Sequence, residues 1–359
     1  DVAPSRGLGD VYKRQALCVI ALTLSSLNAI IYIINYKELN IMVKKPDMFK
    51  EAEMLRTPKN PFIQIIIFMA VFLVIALAES LVSAFVVAPE LKNYLAEKGI
   101  VTGDSGYFDA VSKFQMTDKA MIASLFATVF GTLISIFHCR CIECRPISSM
   151  GTRKKKALPN YFIGILVGFV MMSAITLIQL LLGAVDIAKF SFDLNYKIYL
   201  LYLLGFLIQG MSEEFIFRGY LMNTIGAVSG APAAIAVSSF AFSLAHIFNQ
   251  GISALAIINL ALFGVFASIW MLVTDNIWGV CGIHSMWNFS QGNIYGISVS
   301  GTGTGESIIK ADMNENLWFI NGGDFGIEGG LVTTVVLLAG IAAVLLYHKK
   351  RQSKTVENA

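Results

Sequence analysis

Charge is scarce in this chain. Only 14% of its 359 residues are Asp, Glu, Lys or Arg, against 56% hydrophobic residues, and mean hydropathy is +0.67. That balance excludes a water-soluble globule and points to membrane helices. Net charge is only +3, and the basic residues flank apolar runs instead of forming a groove-sized patch, so nucleic acid is not an expected partner. The five cysteines keep no regular extracellular spacing, which argues against a disulfide scaffold. Several hydrolytic signatures are missing too: there is no HExxH zinc motif, no GxSxG elbow and no intramembrane Asp–Asp pair with a flanking glycine. The glycine-rich stretch 296–330 is bracketed by neither a strand nor a helix of the phosphate-cradle kind, so it reads as a surface loop. No internal repeat of fixed period is evident.

What is abundant is long apolar sequence. Runs cover roughly 16–36, 62–87, 119–138, 161–184, 197–222, 232–248, 254–274, 277–295 and 330–347, most of them long enough to cross about 30 Å of hydrocarbon as a helix. The expected fold is an all-α polytopic membrane bundle of about 8–9 transmembrane helices. With nine spans the basic loops (Lys37 to Lys59, Arg140 to Lys156, Lys349 to Lys354) fall on one side and the acidic loops (Glu90 to Asp118, Glu306 to Glu328) on the other. The positive-inside rule then places the C-terminus and the Arg218 end of its helix in the cytoplasm, in a multi-pass protein of the cell membrane. Asp10–Gln15 resembles the translation of a sequencing adaptor, so residues 1–15 are set aside as non-native. The remainder divides into N-terminal membrane helices over 16–158, a core over 159–348 and a basic tail over 349–359.

Against this background three polar clusters stand out. Gly210-Met-Ser-Glu213-Glu214-Phe-Ile-Phe-Arg218 puts two carboxylates and a guanidinium in an apolar helix, where each charge costs about 2.5–3.5 kcal/mol. Glu214 and Arg218, four apart, share one face as a neutralised pair, while Glu213, about 100° away, is left free for chemistry. Phe242-Ser-Leu-Ala-His246 and His284-Ser-Met-Trp-Asn288 each put two groups on one face of a further helix. A bundle can converge these groups on one cavity. Glu213 with His246 suits activation of a water, and His284 with Asn288 suits hydrogen bonding to an oxyanion. Other roles for single members are structural: interhelical bonding for a histidine, support for Glu214–Arg218, packing for Phe242.

In order, these motifs match EExxxR, FxxxH and HxxxN, and over roughly 160–345 the chain resembles the CAAX protease and bacteriocin-processing (CPBP) family, the type II CAAX prenyl endopeptidase-like proteins. The resemblance implies an all-helical intramembrane endopeptidase with Glu213 as catalytic glutamate, His246 assisting, His284 and Asn288 as oxyanion donors, and Glu214 and Arg218 in support. In eukaryotic relatives the substrate is a prenylated C-terminus. Here the expected partners are a membrane-associated peptide or protein and the bilayer, with the site approached from the cytoplasm. No cofactor is expected. The family has been described both as metalloproteases and as glutamate proteases, and a chelator titration decides metal dependence.

Weaker readings use the same residues differently. A proton- or ion-coupled carrier would use the buried Glu and His as a relay, but inverted repeats are not detectable. A silent scaffold or immunity protein would tolerate alanine at His246 and Asn288. His138, Cys139, Cys141 and Cys144 could ligate zinc, although their spacing is irregular. One geometric tension remains: Glu213 lies about nine residues from the expected end of its helix, whereas His246 lies near the far end of the next, so their depths disagree unless the helices tilt or the Ser229–Pro232 connection enters the bundle.

Overall fold

A computed structural model describes residues 45–112, 114–303 and 305–357. The expected first span, 16–36, and the segment 1–15 lie outside the described residues. The remainder is a polytopic all-α bundle. Its main helices are α1 (Pro61–Glu97), α2 (Asp118–Ile142, ending in a short π-helical turn), α3 (Ala157–Leu181), α4 (Tyr196–Glu214), α5 (Asn223–Ala245), α6 (Ala254–Thr274), α7 (Trp278–Phe289) and α8 (Leu331–Glu357). A π-helix, Phe215–Met222, joins α4 to α5 without interruption. Six helical stretches are long and apolar enough to cross a membrane, the longest running from Tyr196 to Ala245. That stretch is broken at Gly230 into two arms, which correspond to the expected spans at 197–222 and 232–248, and α7 alone is too short to count. It is also the most enclosed, which relieves it of contact with lipid.

The ends of the helices follow local chemistry. Asn60 caps α1 by accepting from the N–H groups of Phe62 and Ile63, with Pro61 at its first position. Ser253 caps α6 through the N–H of Ala256, and Asp275 ends it in the left-handed region at φ 49°. One small sheet departs from the all-helical expectation: β1 (Val185–Phe190) pairs antiparallel with β2 (Ile309–Met313) at the acidic-loop end. The alternation in VDIAKF, short and outside any apolar run, is a strand signal too brief to compete with the helical pattern around it.

Close approach of helices is set by small residues. A Cβ at Gly164 or Gly168 of α3 would strike the carbonyl oxygens of Gly279 or Ile283, and a Cβ at Gly282 would strike that of Tyr161. Gly210 of α4 likewise faces the backbone of Ser285. Helix α7 is therefore held on two sides by backbone-to-backbone contact, the device by which membrane helices associate without a hydrophobic driving force.

At the basic-loop end, Arg145 and Glu143 form a fully buried ion pair at 2.5 Å that also engages Ser149 and Thr224. Cys139 is buried with its thiol near the carbonyls of Arg145 and Pro146, whereas Cys141 is exposed. Among the described residues, no three His, Cys, Asp or Glu side chains are grouped to hold a metal, so His138, Cys139, Cys141 and Cys144 do not converge.

Candidate active site

Gly230 resolves the disagreement in depth. It sits at φ 80° and ψ 177° inside the Tyr196–Ala245 stretch and breaks it, with Pro232 restarting the helix. The first arm continues through the π-helix to Ser229 instead of stopping near Met222. Glu213 lies 17 positions before Gly230 and His246 lies 16 after it. Two antiparallel arms of nearly equal length bring them to one level. Phe217 and Phe242, closer to the turn, meet edge-on at 5.3 Å between ring centres.

The four expected catalytic residues, Glu213, His246, His284 and Asn288, line a single cavity of about 240 Å³, together with Phe242. Glu213 Oε2 lies 3.6 Å from His284 Nε2 and 3.9 Å from His246 Nε2, and it has no hydrogen-bond partner. These gaps are too long for direct bonds and of the size that one water bridges. His246 Nδ1 is 2.9 Å from the carbonyl of Phe242. A carbonyl only accepts, so Nδ1 carries a hydrogen and Nε2 is the nitrogen turned toward Glu213.

The supporting residues take more specific places than the sequence suggests. Glu214 Oε1 accepts from Arg218 Nη1 at 3.0 Å and also faces His284 Nδ1 at 2.7 Å, with Glu214 and Arg218 fully buried. Glu214 thus orients one imidazole as well as neutralising the guanidinium. The Arg218 guanidinium lies 4.5 Å from the centre of the Phe242 ring, a cation–π contact. Phe242 accordingly does more than pack: its ring covers Arg218 and its carbonyl holds His246. The π-helical turn beginning at Phe215 falls where such irregularities collect, beside a polar site.

Two site residues were not picked out from the sequence. Gln209, one turn before Glu213, donates from its amide to Glu213 Oε1 and accepts from Asn288 Nδ2 at 2.9 Å. Its signal was the i, i+4 spacing to Glu213 on the same face. Glu328, in the glycine-rich loop, accepts from the Ser300 N–H and hydroxyl and from Trp287 Nε1. Burial pushes its carboxyl above the ordinary value, against the lowering effect of the Ser300 donors and of His246. The loop is ordered: Gly301 N–H bonds the Phe325 carbonyl at 2.9 Å, and a Cβ at Gly326 would strike the carbonyl of Ser298.

The cavity opens at the acidic-loop end. Met116, Asn249, Ser300, Thr302 and Glu328 line it, and a wider space of about 750 Å³ shares Met116, Met121, Asn249, Ser300 and Thr302 with it. None of the described lining residues comes from a basic loop. The cavity thus faces the acidic-loop end, whereas the expected approach is from the basic loops; on the basic-loop side of Glu213 lie the buried Arg218 and the Glu143–Arg145 pair.

Comparison with family models matches residues 195–290 to the type II CAAX prenyl endopeptidase Rce1-like family. This segment of the chain is similar to the Rce1-like CAAX protease domain. The matched segment is shorter than the expected 160–345, yet it contains Glu213, Glu214, Arg218, Phe242, His246, His284 and Asn288. It leaves out α1 to α3, α8 and Glu328. Comparisons with curated proteins and with solved structures find no match. At the family level the match supports a CAAX-type intramembrane protease, and the apolar helices support a multi-pass membrane protein.

Proposed function

We propose that the protein is a glutamate-dependent intramembrane endopeptidase acting on a membrane-associated peptide or protein. The observation that carries this reading is Glu213 Oε2, unbonded and facing two imidazole nitrogens at 3.6 and 3.9 Å. In this mechanism His246 acts in its neutral form with the hydrogen on Nδ1, and a water between Glu213 and His246 donates one hydrogen to each. Its own lone pair then points at a carbonyl carbon in the cavity. As the water attacks, Glu213 takes its proton as general base. Asn288 supplies a neutral N–H to the developing oxyanion, held in place by Gln209. His284 spends its Nδ1 hydrogen on Glu214, so it joins as a second donor in its doubly protonated form. Glu213 then returns its proton to the leaving amine.

No step requires a metal, and activity is expected to survive chelator titration. The basic loops support a position in the cell membrane with a cytoplasmic C-terminus. The reading is tested with Glu213→Gln, which keeps the bond to Gln209 and removes the base. Cleavage of membrane peptides should fall about 10²–10⁴-fold, and protein termini produced in wild-type cells should be missing from cells with the variant. Unchanged cleavage by purified Glu213→Gln protein would falsify the role of Glu213.

A further inference from the structure

Glu213 and His246 border a second cavity as well, also of about 240 Å³, lying between α1, Thr128 of α2 and the two arms of the Gly230 turn. Its walls are apolar, with Phe72 and Ile75 from α1 and Ile216 and Phe217 from the π-helix. Its polar end holds Glu213, His246 and a third group that the reaction above does not use, Glu79. This carboxyl sits in the middle of the apolar helix α1, inside the run FLVIALAESLVSAF, where a charge costs about 2.5–3.5 kcal/mol unless it is put to use. No lysine or arginine is among the described residues lining the cavity. The nearby Arg218 is committed to Glu214, and the Ser212 hydroxyl is committed to the Thr128 carbonyl at 2.5 Å. Room for the carboxyl is made by Gly131 of α2, where an added Cβ would stand 3.4 Å from Glu79 Oε1.

An apolar sleeve ending in a carboxylate that lacks a counter-ion matches the shape of a basic side chain, which lays its methylene stem along apolar walls and keeps its charge at the tip. Glu213 and His246 belong to both cavities, so a side chain seated here flanks a peptide bond held at Glu213. We propose that this cavity is a subsite for a lysine or arginine side chain adjacent to the scissile bond, with Glu79 as its counter-ion. The proposal rests on the hydrolytic reading of Glu213 for the word scissile, although the charge preference itself needs no catalysis. Glu79 lies outside the matched segment, so the preference is carried by a helix packed on the domain and is a property of this chain.

The test uses the purified full chain and three fluorescent apolar peptides of the same sequence, identical except for one central Lys, Gln or Glu. Binding is read by anisotropy in detergent micelles and cleavage by mass spectrometry. The Lys peptide should bind the wild type at least about tenfold more tightly than the Glu peptide, as a desolvated ion pair would. Glu79→Gln should reduce that ratio to within about threefold, and Glu79→Lys should invert it. Equal binding of the three peptides to wild type, or an undiminished Lys preference in monodisperse Glu79→Gln, would overturn the proposal. The two readings fail separately: charge-selective binding without cleavage rejects hydrolysis and keeps the subsite, whereas cleavage without charge preference does the reverse.

Discussion

Glu214→Gln is the perturbation that separates what the buried charges do for the fold from what they do for the site. Glu214 Oε1 receives both Arg218 Nη1 at 3.0 Å and His284 Nδ1 at 2.7 Å, and the Glu214 and Arg218 side chains have no exposed surface. Neutralising the carboxylate leaves a buried guanidinium opposed by the face of Phe242 and, at longer range, by the Glu213 carboxylate. Breaking such a pair from one side costs about 3–5 kcal/mol, far more than the pair itself contributes relative to an apolar replacement. The double variant Glu214→Gln/Arg218→Met removes the orphaned charge while leaving an unbranched side chain against Phe242, and most of the lost stability should return. Activity should not return with it. His284 has lost its carboxylate acceptor, and a misplaced site group costs about 10²-fold in rate. Stability is measured by reversible unfolding in mixed micelles followed by tryptophan fluorescence, with four tryptophans as reporters. A loss below about 1 kcal/mol for Glu214→Gln, or a double variant as active as wild type, would refute the reasoning.

Other changes have expected outcomes that follow as directly. Gly168→Leu should separate α3 from α7, because its side chain would occupy the place of the Ile283 backbone; stability should fall by about 2 kcal/mol or more and cleavage with it, both read on the same micellar sample. Gln209→Leu should lower kcat about 10–100-fold with a small effect on KM, since it releases Asn288 and Glu213 together while leaving the cavity walls in place. Glu328 has its carboxyl raised by burial. The stability it contributes is present below the ordinary carboxyl range and is lost as pH rises through that range toward the folded value. Glu328→Gln should flatten this slope in a series of unfolding titrations, because glutamine still accepts from Ser300.

The site was legible in the sequence because its members are expensive. A carboxylate or imidazole in an apolar run is visible by contrast, so Glu213, Glu214, Arg218, His246, His284 and Asn288 could be read off directly, and helical spacing paired Glu214 with Arg218. Gln209 carries no charge and reads as an ordinary interruption of an apolar helix, so only its distance from Glu213 marks it. Glu79 does carry a charge, but it stands alone in its run without a second polar group at helical spacing. Glu328 sits in a glycine-rich loop where carboxylates are common, and its burial depends on a fold-back onto Ser300 and Trp287 that no local pattern encodes. The apolar runs located the helices well. Their connections were less readable: Pro232 and its neighbours signalled a break, but not that the preceding helix runs on seven residues beyond Met222.

That extension explains why motifs far apart in sequence work together. Glu213 and His246 face each other because the two arms of the Gly230 turn are equal to within one residue; the identity of the residues between them contributes packing, not register. One residue inserted in a single arm shifts that arm by about 1.5 Å along its axis and about 100° around it. The Glu213 carboxylate would then turn away from the imidazoles, while the apolar character of the helix, and so its place in the bilayer, would hardly change. Helix α7 has no such freedom. Gly210 against Ser285 and Gly164 and Gly168 against Gly279 and Ile283 fix its depth and rotation by backbone contact, so His284 and Asn288 are set by α3 and α4 and not by the α6–α7 connection. The proposed water-activating pair thus takes its alignment from a hairpin, and the proposed oxyanion pair from glycine-lined helix crossings. Both alignments reach the same carboxylate through α4, where Glu213 follows Gly210 by less than one turn.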